Sequence, residues 1–135
     1  MRIFIDTNVW LAGRFGRGLC AELLDQLIGA GAELLLDERV LEEFRRIARA
    51  KFHVPQNVLA EAEGFFQHHA RILPAAAQPL AGVLDADDAL ILAAAVAAHA
   101  DGFLTGDKAL VALGAIEGMP ILDPRTAYLK LRGLA

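Results

Sequence analysis

At 135 residues the chain has room for one domain with a proper hydrophobic core and not for two. Its residues are 56% apolar and 22% charged, globular composition far from the disordered corner. A formal net charge of −4 excludes a domain that holds nucleic acid by bulk positive charge. A lone cysteine, Cys20, excludes an internal disulfide and a cysteine-rich zinc site, and suits a reducing cytoplasm.

The opening Met1 to Asn8 has an acid at Asp6 and no long apolar stretch behind it, so it does not read as a secretory leader. Arg2-Ile3-Phe4-Ile5 is a β-favouring run that stops at Asp6, expected as a strand buried on both faces. A glycine-bearing loop, Gly13 to Gly18, is expected to lead into an amphipathic helix with Leu19, Leu23, Leu24, Leu27 and Ile28 on one face. Gly29 and Gly31 end that helix. Glu33 to Leu36 reads as a second strand. Asp37 suits the N-cap of a helix reaching to Lys51, with Val40, Leu41, Phe44, Ile47 and Ala48 as its apolar stripe.

Pro55 starts another helix to His68, and His69 to Leu73 reads as a short strand. Pro74 to Leu84 is alanine-rich and reads as a loose connection. Asp87 or Asp88 opens an apolar helix over Ala89 to Ala100, about a dozen residues where a membrane span needs roughly 20. The expectation is a buried core helix in a soluble protein. Gly102 to Thr105 reads as a strand ending at Gly106-Asp107, with a short helix to Leu113 after it. Pro120-Ile121-Leu122 is a last strand, and Asp123-Pro124 opens the final helix as N-cap and first helical residue. Strands alternating with helices imply parallel crossovers and a sheet covered on both faces, an α/β fold. In such sheets ligands bind beyond the carboxyl ends of the strands, so acids that directly follow strands carry the most information.

Asp6 follows Ile3-Phe4-Ile5 directly, and Asp107 follows Phe103-Leu104-Thr105 after one glycine. Both project at the same edge of the sheet, although each also suits the start of a loop. Asp88 begins a helix that is apolar on nearly all sides, so its first turn should open onto that edge; an N-cap is the plainer explanation. At about 100° per residue, Glu43 falls at the margin of the stripe of Val40, Phe44 and Ile47 and can reach a cleft. Glu42 points away, with Arg45, Arg46 and Arg49, as a solvated acid placed to pair with Arg46 at i+4. Like charges gathered at a buried sheet rim are costly without protons or a cation. Oxygen-only ligands suit hard ions such as Mg²⁺ or Mn²⁺, which assist in-line displacement at phosphorus.

The segments Ile3-Phe4-Ile5-Asp6-Thr7-Asn8-Val9-Trp10, Leu41-Glu42-Glu43-Phe44, Asp85 to Ala95 and Gly102-Phe103-Leu104-Thr105-Gly106-Asp107 resemble the PIN domains. The likeness is in particular to bacterial and archaeal PIN nucleases related to VapC-type toxins, and its order and spacing span nearly the whole chain. A strand followed by Asp-Thr-Asn is moderately specific; joined to Thr-Gly-Asp after a later strand it is strong. The resemblance implies one three-layer α/β/α domain over residues 1–135 with a mainly parallel sheet. It implies that Asp6, Glu43, Asp88 and Asp107 are the catalytic acids and ligands of Mg²⁺ or Mn²⁺, with Asn8 and Thr105 orienting them. Asp88 is chosen because it stands three residues before Ile91 and seven before Ala95; Asp87 is the alternative. The implied activity is metal-dependent endonucleolytic cleavage of single-stranded RNA in the cytoplasm, leaving a 5′-phosphate and a 3′-hydroxyl. The implied partners are an antitoxin protein and a second copy of the chain.

Two other classes stand beside this one. A non-catalytic RNA- or protein-binding module on the same fold would have no reason to maintain four repelling acids. A small phosphatase often needs an acid two residues after its aspartyl nucleophile, and Asn8 occupies that place after Asp6.

Arg14 and Arg17, in the expected glycine-bearing loop beside Asp6, are candidates to hold RNA phosphates. Arg45, Arg46, Arg49 and Lys51 read as a solvated helix face more readily than as a substrate track. His53, His68, His69 and His99 lack zinc spacing. Trp10 is expected in the core or at a subunit surface, and Leu59, Phe65 and Phe66 on the apolar face of their helix.

Overall fold

A computed structural model describes residues 1–16 and 18–133. Six strands form one sheet in the order β3-β2-β1-β4-β6-β5. β1 (Arg2–Ile5) lies between β2 (Glu33–Asp37) and β4 (Gly102–Leu104). β3 (Ala70–Leu73) flanks β2, while β6 (Met119–Leu122) and β5 (Ala115–Ile116) continue beyond β4. All neighbours pair in parallel except β5 with β6. The register sets Phe4 opposite both Leu35 and Phe103, and the Phe4 and Phe103 rings stack at 5.3 Å. Ile3, Phe4, Ile5, Leu34, Leu35, Leu36, Phe103 and Leu104 are all buried, as strands covered on both faces require.

The flanking helices complete a three-layer α/β/α architecture: α1 (Thr7–Phe15), α2 (Leu19–Gly29), α3 (Glu38–Ala50), α4 (Gln56–His69), α5 (Ala86–Ala97), α6 (Lys108–Val111) and α7 (Pro124–Leu131). Caps fix several of their starts. Asp37 accepts from the Val40 N–H at 2.8 Å to open α3, and Asp123 accepts from the Thr126 N–H at 2.7 Å to open α7 behind Pro124. No helix among the described residues is long and apolar enough to cross a membrane.

Three expectations need correction. Thr7 to Phe15 is helical, so Gly13 and Arg14 are not in a loop. Gly13 is there because α2 crosses α1 so closely that a Cβ at this position would run into the Leu24 side chain. α5 is capped by neither Asp87 nor Asp88 but by Asp85, which accepts from the Asp88 N–H at 3.0 Å. β5 escaped notice: Glu117 and Gly118, with φ of 50° and 78°, form a two-residue turn that folds Ala115-Ile116 back on Met119-Pro120. Trp10 is fully buried and packs edge-on against Phe66 at 4.8 Å, which places it in the core. Leu59 and Phe66 of α4 are likewise fully buried.

Candidate active site

The chain leaves β1 towards β2 and β3, then returns across the sheet to β4 on the other side of β1. Strand order therefore reverses between β1 and β4, where a doubly wound sheet opens a crevice at its carboxyl edge. Asp6 and Thr105 are the first residues beyond those two strands. The Asp6 N–H still donates to the Leu104 carbonyl at 2.9 Å, so the strands hold the two residues together.

Asp6 is only 8% exposed, and both carboxylate oxygens have donors. Oδ1 accepts from the Thr7 N–H at 2.9 Å and Oδ2 from the Thr105 hydroxyl at 2.8 Å. The same Thr105 oxygen accepts from the Asp107 N–H at 3.0 Å and, at 3.5 Å, from the Asn8 amide. Its one donor and two acceptor positions are thus all used. Asn8 Oδ1 accepts from the Gly106 N–H at 2.9 Å, clasping the turn that carries Asp107. Asp107 in turn caps α6, accepting from the Ala109 N–H at 2.8 Å.

Across the crevice stand α3 and α5. A cleft of about 320 Å³ is lined by six acids, Asp6, Glu43, Asp85, Asp87, Asp88 and Asp107, with Leu11, Ile47 and Ile91 among its apolar walls. Because Asp85 performs the capping, the Asp88 carboxylate is released from that duty and lines the cleft. Burial raises the Asp6 pKa, and the Glu43 and Asp107 charges add to this, against the Thr105 and Thr7 hydrogen bonds that lower it. Asp88 is pushed up to about 6, first by burial and then by Asp85, Asp6, Asp107 and Glu43. The acids thus feel one another, as a shared site requires.

Among the described residues no three acidic, histidine or cysteine side chains stand close enough to grip one ion as they are placed. Fit to a metal rests on donor chemistry. The cleft offers carboxylate oxygens and no nitrogen or sulfur ligand, a set that suits Mg²⁺ or Mn²⁺. Asp6 and Asp107 are held through their carboxylates by hydrogen bonds, and Glu43 and Asp88 project from α3 and α5.

The structure thus brings together Asp6, Asn8, Glu43, Asp87, Asp88, Thr105 and Asp107 as the sequence suggested. It does not bring Arg14, which lies with its guanidinium 4.1 Å from the Phe65 ring centroid and does not line the cleft. Arg17 lies outside the described residues. The expected Glu42–Arg46 pair is replaced by Arg46 with Glu43, 3.8 Å apart at i, i+3. Sequence reasoning missed Asp85 as the cap, although its place three residues before Asp88 is the usual cap-to-N3 spacing. It also missed Arg39, which adjoins the acids one helical turn before Glu43.

A family model described as PIN domain matches residues 2–109. The chain belongs to the PIN-domain family. Among the solved structures that the chain resembles are these two. One, from VapBC2 of Rickettsia felis bound to a DNA fragment from its promoter, superposes with a TM-score of 0.66 at 14% identity, covering 91% of this chain and 98% of that one. The other, the PIN domain endonuclease Utp24, superposes with a TM-score of 0.55 at 20% identity, covering 90% and 84%. At these identities the likeness carries the fold and leaves this PIN domain's chemistry to its own residues. No curated protein sequence matches it.

Proposed function

We propose that this chain is one PIN nuclease domain over residues 1–135, a Mg²⁺- or Mn²⁺-dependent endoribonuclease acting on single-stranded RNA. The observation that carries the reading is the Asp6–Thr105–Asp107–Asn8 network at the strand-order reversal, facing Glu43 and Asp88 across one cleft. Asp6, Glu43, Asp88 and Asp107 would hold the ion. When bound, the ion supplies Lewis-acid activation of water and neutralises charge at the phosphate under attack. Thr7 and Thr105 fix both oxygens of Asp6, so it meets its ligand in one orientation. Asn8 and Thr105 hold the Thr105-Gly106-Asp107 turn against β1, which fixes the distance between the Asp6 and Asp107 backbones. Leu11, Ile47 and Ile91 give the cleft an apolar wall, beside which charge is worth more than in bulk water.

The fold shared with VapBC2 is in keeping with a toxin held by an antitoxin. The same proposal includes a homodimer and a cytoplasmic setting, the latter in keeping with the free thiol of Cys20. The test is cleavage of a labelled RNA mixture by partner-free protein with Mn²⁺, Mg²⁺ or EDTA. Cutting is expected with either ion and not with EDTA, and Asp6→Asn or Asp88→Asn should reduce it at least about a hundredfold. Folded, partner-free protein that binds RNA without cutting it under any of these conditions would make the domain a binding module.

A further inference from the structure

The carboxylate cleft continues beyond its acids. A second groove of about 250 Å³ adjoins it, sharing Glu43, Asp87 and Ile91 and adding Arg39 and Arg46 of α3. A third of about 490 Å³ follows, sharing Glu42 and Arg46 with the second and reaching Arg49. Arg39, Arg46 and Arg49 stand at i, i+7 and i+10, so they run along one side of α3 over about 15 Å.

An acidic cleft repels the polyanion that the proposed reaction requires. In the second groove Arg39 and Arg46 stand against Glu42, Glu43 and Asp87. Positive charge prevails only in the third, where Arg45, Arg46 and Arg49 stand against Glu42. Among the described residues Arg39 and Arg49 make no ion pair, and Arg46 meets only Glu43, its side chain 68% exposed. The neighbouring Arg45 is committed elsewhere, held by Glu63 of α4. Arg39 Nε is buried with no hydrogen-bond partner among the described residues.

The geometry points to a phosphate track: Arg39, Arg46 and Arg49 hold backbone phosphates of an RNA strand whose scissile phosphodiester lies in the carboxylate cleft. The inference rests on the nuclease reading above and assigns the side from which the strand enters. A guanidinium presents a rigid fork of donors that matches phosphate oxygens. Phosphate contacts fix register and affinity without reading bases. An acidic protein segment would also attract these arginines, but a strand continuous with the reacting phosphodiester fills groove and cleft together. That continuity favours RNA.

The test is equilibrium binding of a short labelled oligouridylate to Asp6→Asn protein in Mg²⁺ across a salt series, alongside RNA cleavage by the wild type. Arg39→Ala, Arg46→Ala and Arg49→Ala should each weaken binding about fivefold at low salt and flatten the log K against log salt slope by about 0.7. Lysine at the same positions should keep most of the slope. Lys130→Ala, in an apolar groove beside the starts of β1 and β4, should change neither quantity. With Asp6 intact, the triple alanine variant should raise KM for RNA, and the double variant that keeps Arg46, the ion-pair partner of Glu43, should raise KM with kcat nearly unchanged. A folded triple variant that binds with unaltered affinity and slope overturns the track, while wild-type cleavage keeps the nuclease reading. If the wild type neither binds nor cuts RNA, both fall. A triple variant that keeps RNA but loses a polyglutamate peptide bound by its parent overturns the track in favour of a protein partner.

Discussion

Thr105 is fully buried, and its single hydroxyl serves Asp6, Asp107 and Asn8 at once. Valine has the same shape without the oxygen, so Thr105→Val leaves Asp6 Oδ2 and the Asp107 N–H unpaired without opening a cavity. Each unpaired group costs about 1–3 kcal/mol. Groups that orient metal ligands typically cost 10- to 100-fold in activity when removed, so RNA cleavage should fall by about that factor. Denaturant unfolding and single-turnover cleavage measure the two effects. Serine keeps the oxygen, so Thr105→Ser should recover most of both. Recovery of stability without activity would make Thr105 a structural residue only.

At the scale of elements, the start of α3 carries a tension of its own. Asp37 is fully buried; Oδ1 caps the helix while Oδ2 has no hydrogen-bond partner among the described residues. Burial pushes its carboxyl from 3.8 to about 6, against the Val40 hydrogen bond and the Arg39 charge, which lower it. A folded pKa above the unfolded one means that the native state binds the proton more tightly. The contribution to stability is therefore full below about pH 4 and lost as pH rises through about 6. The loss is on the order of 2–3 kcal/mol. Asparagine caps as well as aspartate. Asp37→Asn should thus be the more stable protein in urea at pH 7.5 and lose that advantage at pH 4. An equal difference at both pH values would refute the assignment. This cap was legible because an acid standing between an apolar strand and an amphipathic helix has few other roles. α1 was not, because its glycine serves a tertiary contact with Leu24 that no local pattern reveals. The β5 hairpin was hidden for a similar reason: its turn is Glu117-Gly118, without the asparagine or aspartate that usually signals one.

Over the whole molecule, the four acids come from the ends of β1 and β4 and from α3 and α5, so the site is also a junction of the fold. Asp6 and Asp107 were readable because parallel topology places residues after strands at one edge. The choice between Asp87 and Asp88 was not, since it depends on which residue caps α5, and Asp85 does. Stability measurements can make that choice without any RNA. A ligand that binds only the native state stabilises it by about 2.7 kcal/mol at a hundredfold excess over Kd, so saturating Mn²⁺ should raise the Tm by several degrees. Asp88 is pushed up to about 6 by burial and by Asp85, Asp6, Asp107 and Glu43. Its ionisation therefore weakens the metal-free fold as pH rises from about 4 through 6. In EDTA, Asp88→Asn should melt above the wild type at pH 7.5 and level with it at pH 4, and Mn²⁺ should shift it much less. Asp87 is exposed and its replacement should leave the Mn²⁺ shift nearly whole. If instead Asp87→Asn abolishes the shift while Asp88→Asn keeps it, Asp87 is the ligand and the burial of Asp88 serves packing alone.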